Sequence, residues 1–570
     1  MFKANTGPYQ RTLVGGTVNE LSDKKRNILE DSWAETFRQE VLLRIDEHKF
    51  VDLYSLDGSR PNIAVNVLVC WEIIKTGQGL SDRAMHDRFL FDIQVRHALG
   101  LDSLNDGDFT LRTVYNFRNR LSEYEKEEEI NLIHECFRHV TDEQMRVCQV
   151  NSSQLRVDSV QVASNIAQMS RLQLVIDSIR RVESMLTVED GEKYKELLSP
   201  WTGKRGMNYV YDLEAGSYGK SFEQAGVVLQ QLVEELRSEY SEEEVYETMC
   251  RIFSEQYKVE EGEVESREAG DIPSGSVQSP DDPEATYRRK AGKGYRGYVT
   301  NITETANPEN DIQLIVEVQT EPNTADDAQL LLDALPELQE RTDVEEVHVD
   351  GGYNSPELDA ALEVAEIEQH VTAIRGSQPD PNRIGLAQFD IDCDEDGVPI
   401  QITCPQGQEI PVETGRNDQR FIARPDSETC SHCPLLAICA AKPTTLNAQP
   451  VIYFSKQQLR NAHKRQRIDQ QREGPHLRPA VEATVRSLTH PLPHGKVPMR
   501  GQFKVTCFML YSAMMVNARR IFGKSLNDKD KSTQNTPLQP QISSFMPLYR
   551  FLRHYTTSLT LYNDFYLSSA

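Results

Sequence analysis

The sequence predicts an α/β protein in which a mixed sheet is covered by helices and an all-α module comes first. Three observations carry this. From residue 295 the pattern runs strand, strand, helix, strand, helix, strand. Residues 20–145 place apolar side chains at three- and four-residue spacing, the period of amphipathic helices. Between them QLRVDSVQV (154–162) alternates in the two-residue period of a strand.

The helical module rests on VNVLVCWEIIKTG, LSDRAMHDRFLFDIQVRHALG and LRTVYNFRNRLSEYEKEEEINLIHECFRHV, separated by the polar breaks DGSRP and DSLNDGD. After strand 154–162, a helix is expected from about Ala167 to Leu198, with Leu172, Ile176, Ile179 and Val182 on its apolar side. The Ser/Pro/Asp-rich DIPSGSVQSPDDP (271–283) reads as a loop or partly disordered connector. YRGYVTNITET and DIQLIVEVQT form a strand pair joined by a polar turn. TADDAQLLLDALPELQER is the next helix, VEEVHVD a strand, SPELDAALEVAE a helix opened by proline, and EQHVTAI a further strand. Residues 376–455 read as a turn-rich insertion holding four cysteines, followed by helices near 456–473, 479–489 and 502–521. The expected domains are therefore 1–150 (helical), 151–525 (mixed sheet with helices) and a tail, 526–570. Insertions at 165–285 and 376–455 interrupt the second.

The chain has 570 residues and a formal net charge of −26, which argues against coating nucleic acid by bulk charge. The average hides an asymmetry. EELRSEYSEEEVYETMC is intensely acidic, whereas YRRKAGKGYR (287–296) and SKQQLRNAHKRQRIDQQREGPHLR (455–478) are basic and able to meet phosphates. No signal-peptide core opens the sequence, and the longest apolar patch, CFMLYSAMMV, is too short to span a bilayer; a cytoplasmic protein without membrane partners is expected.

Three nucleotide-binding look-alikes fail. GKGYRG (292–297) matches G-x-G-x-x-G but follows a basic loop and precedes a strand, the reverse of a dinucleotide site. GSYGKS and IFGKS end like phosphate loops, but Glu214 and Ala518 stand where the first glycine is required.

The acids are more informative. In VHVDGGYNS the alternation delivers Asp350 to a strand end, and two glycines follow. If strand 154–162 neighbours that strand, Asp158 and Asp350 lie side by side and repel unless a cation or proton sits between them. Hard oxygen ligands suit Mg²⁺ or Mn²⁺. HLRPAVEATVRSL offers a third acid: Arg478, Glu482 and Arg486 share one side of a helix begun by Pro479. The same spacing also describes a solvated helix face with ion pairs.

VDSVQVASN (157–165), VDGGYNS (349–355) and RPAVEATVRSL (478–488), in that order, resemble the three acidic motifs of bacterial insertion-sequence DDE transposases. The run from DGSRP through LSDRAMHDRFLFDIQVRHALGL to LRTVYNFRNRL is similar to the helical domain preceding the catalytic domain in one subgroup. The resemblance spans most of residues 50–525. It implies an RNase H-like domain that cleaves DNA at transposon ends and joins the 3′-hydroxyl to target DNA. Asp158, Asp350 and Glu482 would be the metal-binding triad, and metal ions would activate the nucleophile and stabilise the leaving oxygen. Some relatives carry Tyr-x-x-Arg-x-x-x-Glu-x-x-x-x-x-x-Lys around the third acid. Here Pro475 and Thr489 replace the tyrosine and lysine, leaving His490, His494, Lys496 or Arg500 as candidates for the phosphate contact.

Cys404 with Cys430, Cys433 and Cys439 contains a C-x₂-C pair, and four such thiols suit a structural Zn²⁺; four reduced, partly buried thiols are the alternative. His432 is read as a bystander. Lys456, Arg460, Lys464, Arg465 and Arg467 form a basic helix before the third acid and, with Arg478 and Arg486, are the expected phosphate contacts. Arg83, Arg88, Arg96, Arg112, Arg118 and Arg120 are candidates in the helical module. The expected function is a DNA transposase acting on double-stranded DNA as a homo-oligomer. The alternative is an inactive or repurposed relative that binds DNA without cutting it.

Overall fold

The computed structural model describes residues 2–5, 16–55, 61–101, 103–104, 107–203, 209–214, 216–290, 292–374, 380–395, 397–415, 419–443, 449–471, 477–489 and 496–534. The chain divides into two units, Met1–Phe522 and Gly523–Ala570. The last helix, Gln502–Gln534, runs beyond the expected end near residue 521, and the remainder of the expected tail lies outside the described residues.

A six-stranded mixed sheet organises the first unit. Its strands are β1 (Gln154–Ala163), β2 (Thr286–Lys290), β3 (Lys293–Thr305), β4 (Ile315–Pro322), β5 (Glu346–Val349) and β6 (Glu368–Val371). The order is β2–β3–β1–β5–β6, with β4 also paired to β3. Strand β1 runs antiparallel to β3 but parallel to β5, which runs parallel to β6. This topology is compatible with an RNase H-like domain.

Alternation along β1 sorts its side chains between two cores. Leu155 and Val157 pack with Val347, Val349, Leu331 and Leu358 on one face. Val160 and Val162 point to the other, where they meet the N-terminal helices and Leu488. The same two-residue period assigns Asp158 to this second face. The N-terminal helices thus share an apolar cluster with the sheet: Trp71, Phe89 and Phe117 belong with Tyr298, Ile302 and Met509. Helix Val65–Gly77 is buried all round, which suits its mainly apolar sequence; its Glu72 is met by Lys75 at 3.2 Å and Arg118 at 2.6 Å. The run 111–140 breaks at Glu129, left-handed with φ 58°, and restarts where the Asn131 side chain caps Leu132–Cys148.

Both insertions have cores of their own. The first is mainly helical and packs Leu172, Ile176, Phe222, Leu229, Met249 and Ile252 together. Its connector 271–283 is a loop packed against the sheet. Asp282 is buried and accepts hydrogen bonds from Ser164 and, at 2.5 Å, from Tyr298. The cysteine segment differs from the turn-rich reading: it is a second six-stranded sheet closing over Phe389, Ile402, Ile410, Phe421 and Phe454. Apart from Phe389, which precedes the first of these strands, those side chains come from strands of four to six residues, at the lower end of the length over which alternation registers in a sequence. Among the described residues no helix is long and apolar enough to cross a membrane.

Candidate active site

Strand pairing brings the first two acids together. Gln154, Leu155 and Arg156 of β1 pair with Glu346, Val347 and His348 of β5. Continuing that register by two residues sets Asp158 opposite Asp350. Asp350 then caps the turn Gly351–Tyr353, its Oδ1 accepting from the Gly352 amide at 2.7 Å. The glycine requirement lies at Gly352 and is steric. A Cβ there would sit 2.8 Å from the Asp350 carboxylate and 3.0 Å from that of Asp327.

The third acid arrives on helix Pro479–Thr489, and Arg478 joins all three. Its Nη2 lies 3.1 Å from Asp158 Oδ2 and 3.8 Å from Asp350 Oδ2, and its Nη1 lies 3.1 Å from Glu482 Oε1. One guanidinium therefore holds the centre of three carboxylates from distant parts of the chain. Side-chain exposure rises from 12% at Asp158 to 32% at Asp350 and 62% at Glu482, so the cluster opens to solvent on the Glu482 side. Burial holds the Asp158 carboxyl above its usual range, and the neighbouring Asp350 charge adds to this. Arg478 and the Ser159 amide oppose it. A site built this way favours a cation among its oxygens.

A buried polar network places the Glu482 helix. Glu304 of β3, fully buried, accepts from Arg156 Nε at 2.6 Å, from Thr484 Oγ1 at 2.8 and 2.9 Å, and from Arg520 Nη1 at 2.7 Å. Thr484 lies two residues beyond Glu482, so this network ties the helix to the sheet beside Asp158.

The other expected residues divide. Arg486 is exposed on the Glu482 helix. In helix Lys456–Gln471, Lys456 and Arg460 pair with Glu363, and Arg467 with Glu368. Lys464 is buried, donating to Asp359 at 2.5 Å and Asn354 at 2.7 Å, so it braces its helix against the helix of Asp359. Arg465 has no ion pair among the described residues. In the helical module Arg96 is buried, donating to the carbonyls of Phe89 and Ser103, and Arg118 pairs with Glu72 and Asp82. Arg83, Arg88, Arg112 and Arg120 are exposed. Pro475, His490 and His494 lie outside the described residues.

Cys404, Cys430, Cys433 and Cys439 line one cavity of about 250 Å³, which His432 also borders. Burial pushes the Cys430 thiol up, with the other three cysteines adding to the shift. His432 Nδ1 is 3.0 Å from both Ser431 Oγ and the Glu428 carbonyl, within its own short helix. Among the described residues, the group of metal-ligating side chains with donor atoms within 4.8 Å of one another is a different one: Glu346, His348 and His370. His348 and His370 pair across β5 and β6 and stack 4.7 Å apart at 13°. Glu346 Oε2 lies 3.2 Å from His370 Nε2 and 3.6 Å from His348 Nε2, and burial pushes the His348 imidazole down to about 4. Both Nε2 atoms thus face the same Glu346 carboxylate oxygen, and the three donors lie close enough together to hold a metal ion.

Asp327 was missed in the sequence. It begins helix Asp327–Arg341, is buried, and faces Gly352 beside Asp350; its nearest cation is Arg288 Nη1 at 3.8 Å. In TADDAQLL the neighbouring Asp326 supplies the cap, accepting from the Ala328 amide at 3.0 Å, so a second acid with no capping role was the available signal.

Residues 403–522 match the family described as Transposase DDE domain. That stretch contains Glu482 and all four clustered cysteines but stops short of Asp158 and Asp350. No curated protein matches the chain.

Proposed function

We propose, from the match of residues 403–522 to a transposase DDE domain, that the chain binds transposon ends, cuts DNA there and joins the freed 3′-hydroxyl to target DNA. The observation supporting this most is the convergence of Asp158, Asp350 and Glu482 on one guanidinium. The donor set fits Mg²⁺ or Mn²⁺: hard carboxylate oxygens around a centre that already attracts positive charge, open on one side. Asp158 and Asp350 would hold the ion from the sheet, and Glu482 would close on it from its helix. Bound there, such ions supply activation of the attacking oxygen and stabilisation of the leaving one.

The chain's own residues do the rest. The Glu304 network fixes the Glu482 helix over the sheet. Arg478, released from the acids, is placed to pair with the phosphodiester, and Arg486 extends the same helix face toward flanking phosphate. On helix Lys456–Gln471, Arg465 offers a further contact to phosphate, which Lys456, Arg460 and Arg467 would join on leaving Glu363 and Glu368, with Lys464 holding the helix in place. Exposed arginines of the helical module are assigned to the duplex at the transposon end. Two ends must be held at once for joining, so the DNA-bound form is a homo-oligomer.

The test is incubation of the protein with DNA from both flanks of its coding region and a target plasmid, with Mg²⁺. Cut flanks and joined strands are expected. Binding without either product would instead make this a non-enzymatic DNA-binding protein.

The four-cysteine cavity is proposed to bind one structural Zn²⁺. Metal analysis of protein purified without chelator is expected to give about one zinc per chain, lost in Cys433→Ser. Equal zinc in both proteins sinks this assignment.

A further inference from the structure

Apart from Arg288, which faces Asp327, the basic stretch YRRKAGKGYR takes no part in the site described above. It folds as the hairpin of β2 and β3, turning at Gly292, whose φ of 79° suits glycine. The hairpin forms one wall of a groove of about 330 Å³ that also takes in Gln161 of β1, Ser164 just beyond it, Thr489 and Lys496.

Three features set this groove apart. Its lining holds Lys293, Arg296 and Lys496 but no carboxylate, in a chain of net charge −26. None of these three cations has an ion-pair partner among the described residues. Other basic groups nearby are neutralised: Arg478 by the three acids, Lys464 by Asp359, Arg467 by Glu368 and Arg500 by Asp281. Instead, the groove cations are held by neutral groups. Lys496 Nζ donates to the Ile166 carbonyl at 3.0 Å, Lys293 lies 5.1 Å from the centre of the Tyr295 ring, and Arg296 lies 5.3 Å from that of Tyr287. These contacts aim the charges without cancelling them.

The groove is also continuous with the acids. Strand β1 carries Asp158 and then runs through Val160 to Ala163 along the groove wall, where Ala163 bridges to Lys496. Thr489 closes the helix of Glu482, seven residues on, which is about 10 Å along a helix axis. A polyanion lying in the groove would therefore lead directly to the three carboxylates.

We propose that this groove is a track for the sugar–phosphate backbone of the DNA strand that continues from the scissile bond, with Lys293, Arg296 and Lys496 on successive phosphates. This rests on the proposed DNA-cutting function. Contacts of this kind position the strand without reading its sequence.

The test uses full-length protein carrying Asp350→Asn, so that DNA stays uncut, and a duplex of arbitrary sequence as probe. Affinity is measured against salt concentration. Lys293→Gln, Arg296→Gln and Lys496→Gln are each expected to flatten the slope of log affinity against log salt by about 0.9, the value for one released phosphate contact. Lys496→Arg should restore it. Lys195→Gln, on an exposed helix of the first insertion, should leave the slope unchanged. The heads of Lys293 and Lys496 are exposed, so their loss does not disturb the core. Binding that persists with the same slope in all three groove variants overturns the track but leaves the DNA-cutting function standing. A parent protein that binds no DNA overturns the reading on which both rest.

Discussion

Asp158→Asn, Asp350→Asn and Glu482→Gln are each expected to remove metal-dependent DNA cleavage, by more than about 10³-fold, while leaving the fold in place. The loss should be nearly as large for one substitution as for all three, because groups that act on one centre are strongly non-additive. Each change keeps the volume and polarity of its side chain and deletes one negative charge from the set gathered around Arg478. The effect on stability should be small. In Asp158→Asn the protein loses the 3.1 Å pairing with Arg478, but it also loses a charge whose burial, with the neighbouring Asp350 adding, holds the Asp158 carboxyl above its usual range. These oppose one another, so the melting temperature should move by no more than a few degrees. The measurement is cleavage of flanking DNA with Mg²⁺ beside a thermal melt of each variant. Wild-type cleavage by Asp350→Asn would remove that residue from the site, and a collapsed melt would make the lost activity uninformative.

How much of this could be read from the sequence depends on how local each signal is. Asp158 and Asp350 were legible because alternation carries each to a definite place on a strand, and one register then sets them opposite each other. Two glycines follow Asp350 in the sequence, but only the structure shows that Gly352 is wedged between the carboxylates of Asp350 and Asp327. Glu482 was ambiguous, since Arg478, Glu482 and Arg486 at four-residue spacing also describe a solvated helix. What separates the two readings is that Arg478 reaches across to Asp158, a contact over 320 residues of chain. The basic helix misled in the opposite direction. Charge was legible there, but partners were not, and Lys464 is buried against Asp359. Likewise the short strands of the cysteine sheet and the uncompensated charge of the hairpin groove depend on what lies across space, which neither composition nor periodicity encodes.

The largest stability effect is expected at Glu304, a residue with no part in the chemistry. Its carboxylate is fully buried and accepts from Arg156, Thr484 and Arg520, joining β1, β3, the Glu482 helix and the last helix at one point. Glu304→Gln keeps the shape but leaves two guanidinium groups in the interior without a counter-charge. Breaking a buried pair in this way costs roughly 3–5 kcal/mol, far more than the ~1 kcal/mol expected for removing the neutral hydroxyl in Thr484→Ala. In a protein of this size that corresponds to a fall of roughly 3–4 °C in melting temperature. The two substitutions should not add, because both act through the same carboxylate. A second consequence follows from where Thr484 lies. With Glu304 neutral, the helix Pro479–Thr489 loses its strongest tie to the sheet, so its amides should exchange hydrogen faster than those of β1 at temperatures where the protein remains folded. Cleavage should then drop even below the melting transition, because Glu482 is no longer held over Asp158 and Asp350. If Glu304→Gln melts like the wild type and the helix amides keep their protection, the network is a passive feature of the core, and the positioning of Glu482 must come from Arg478 alone.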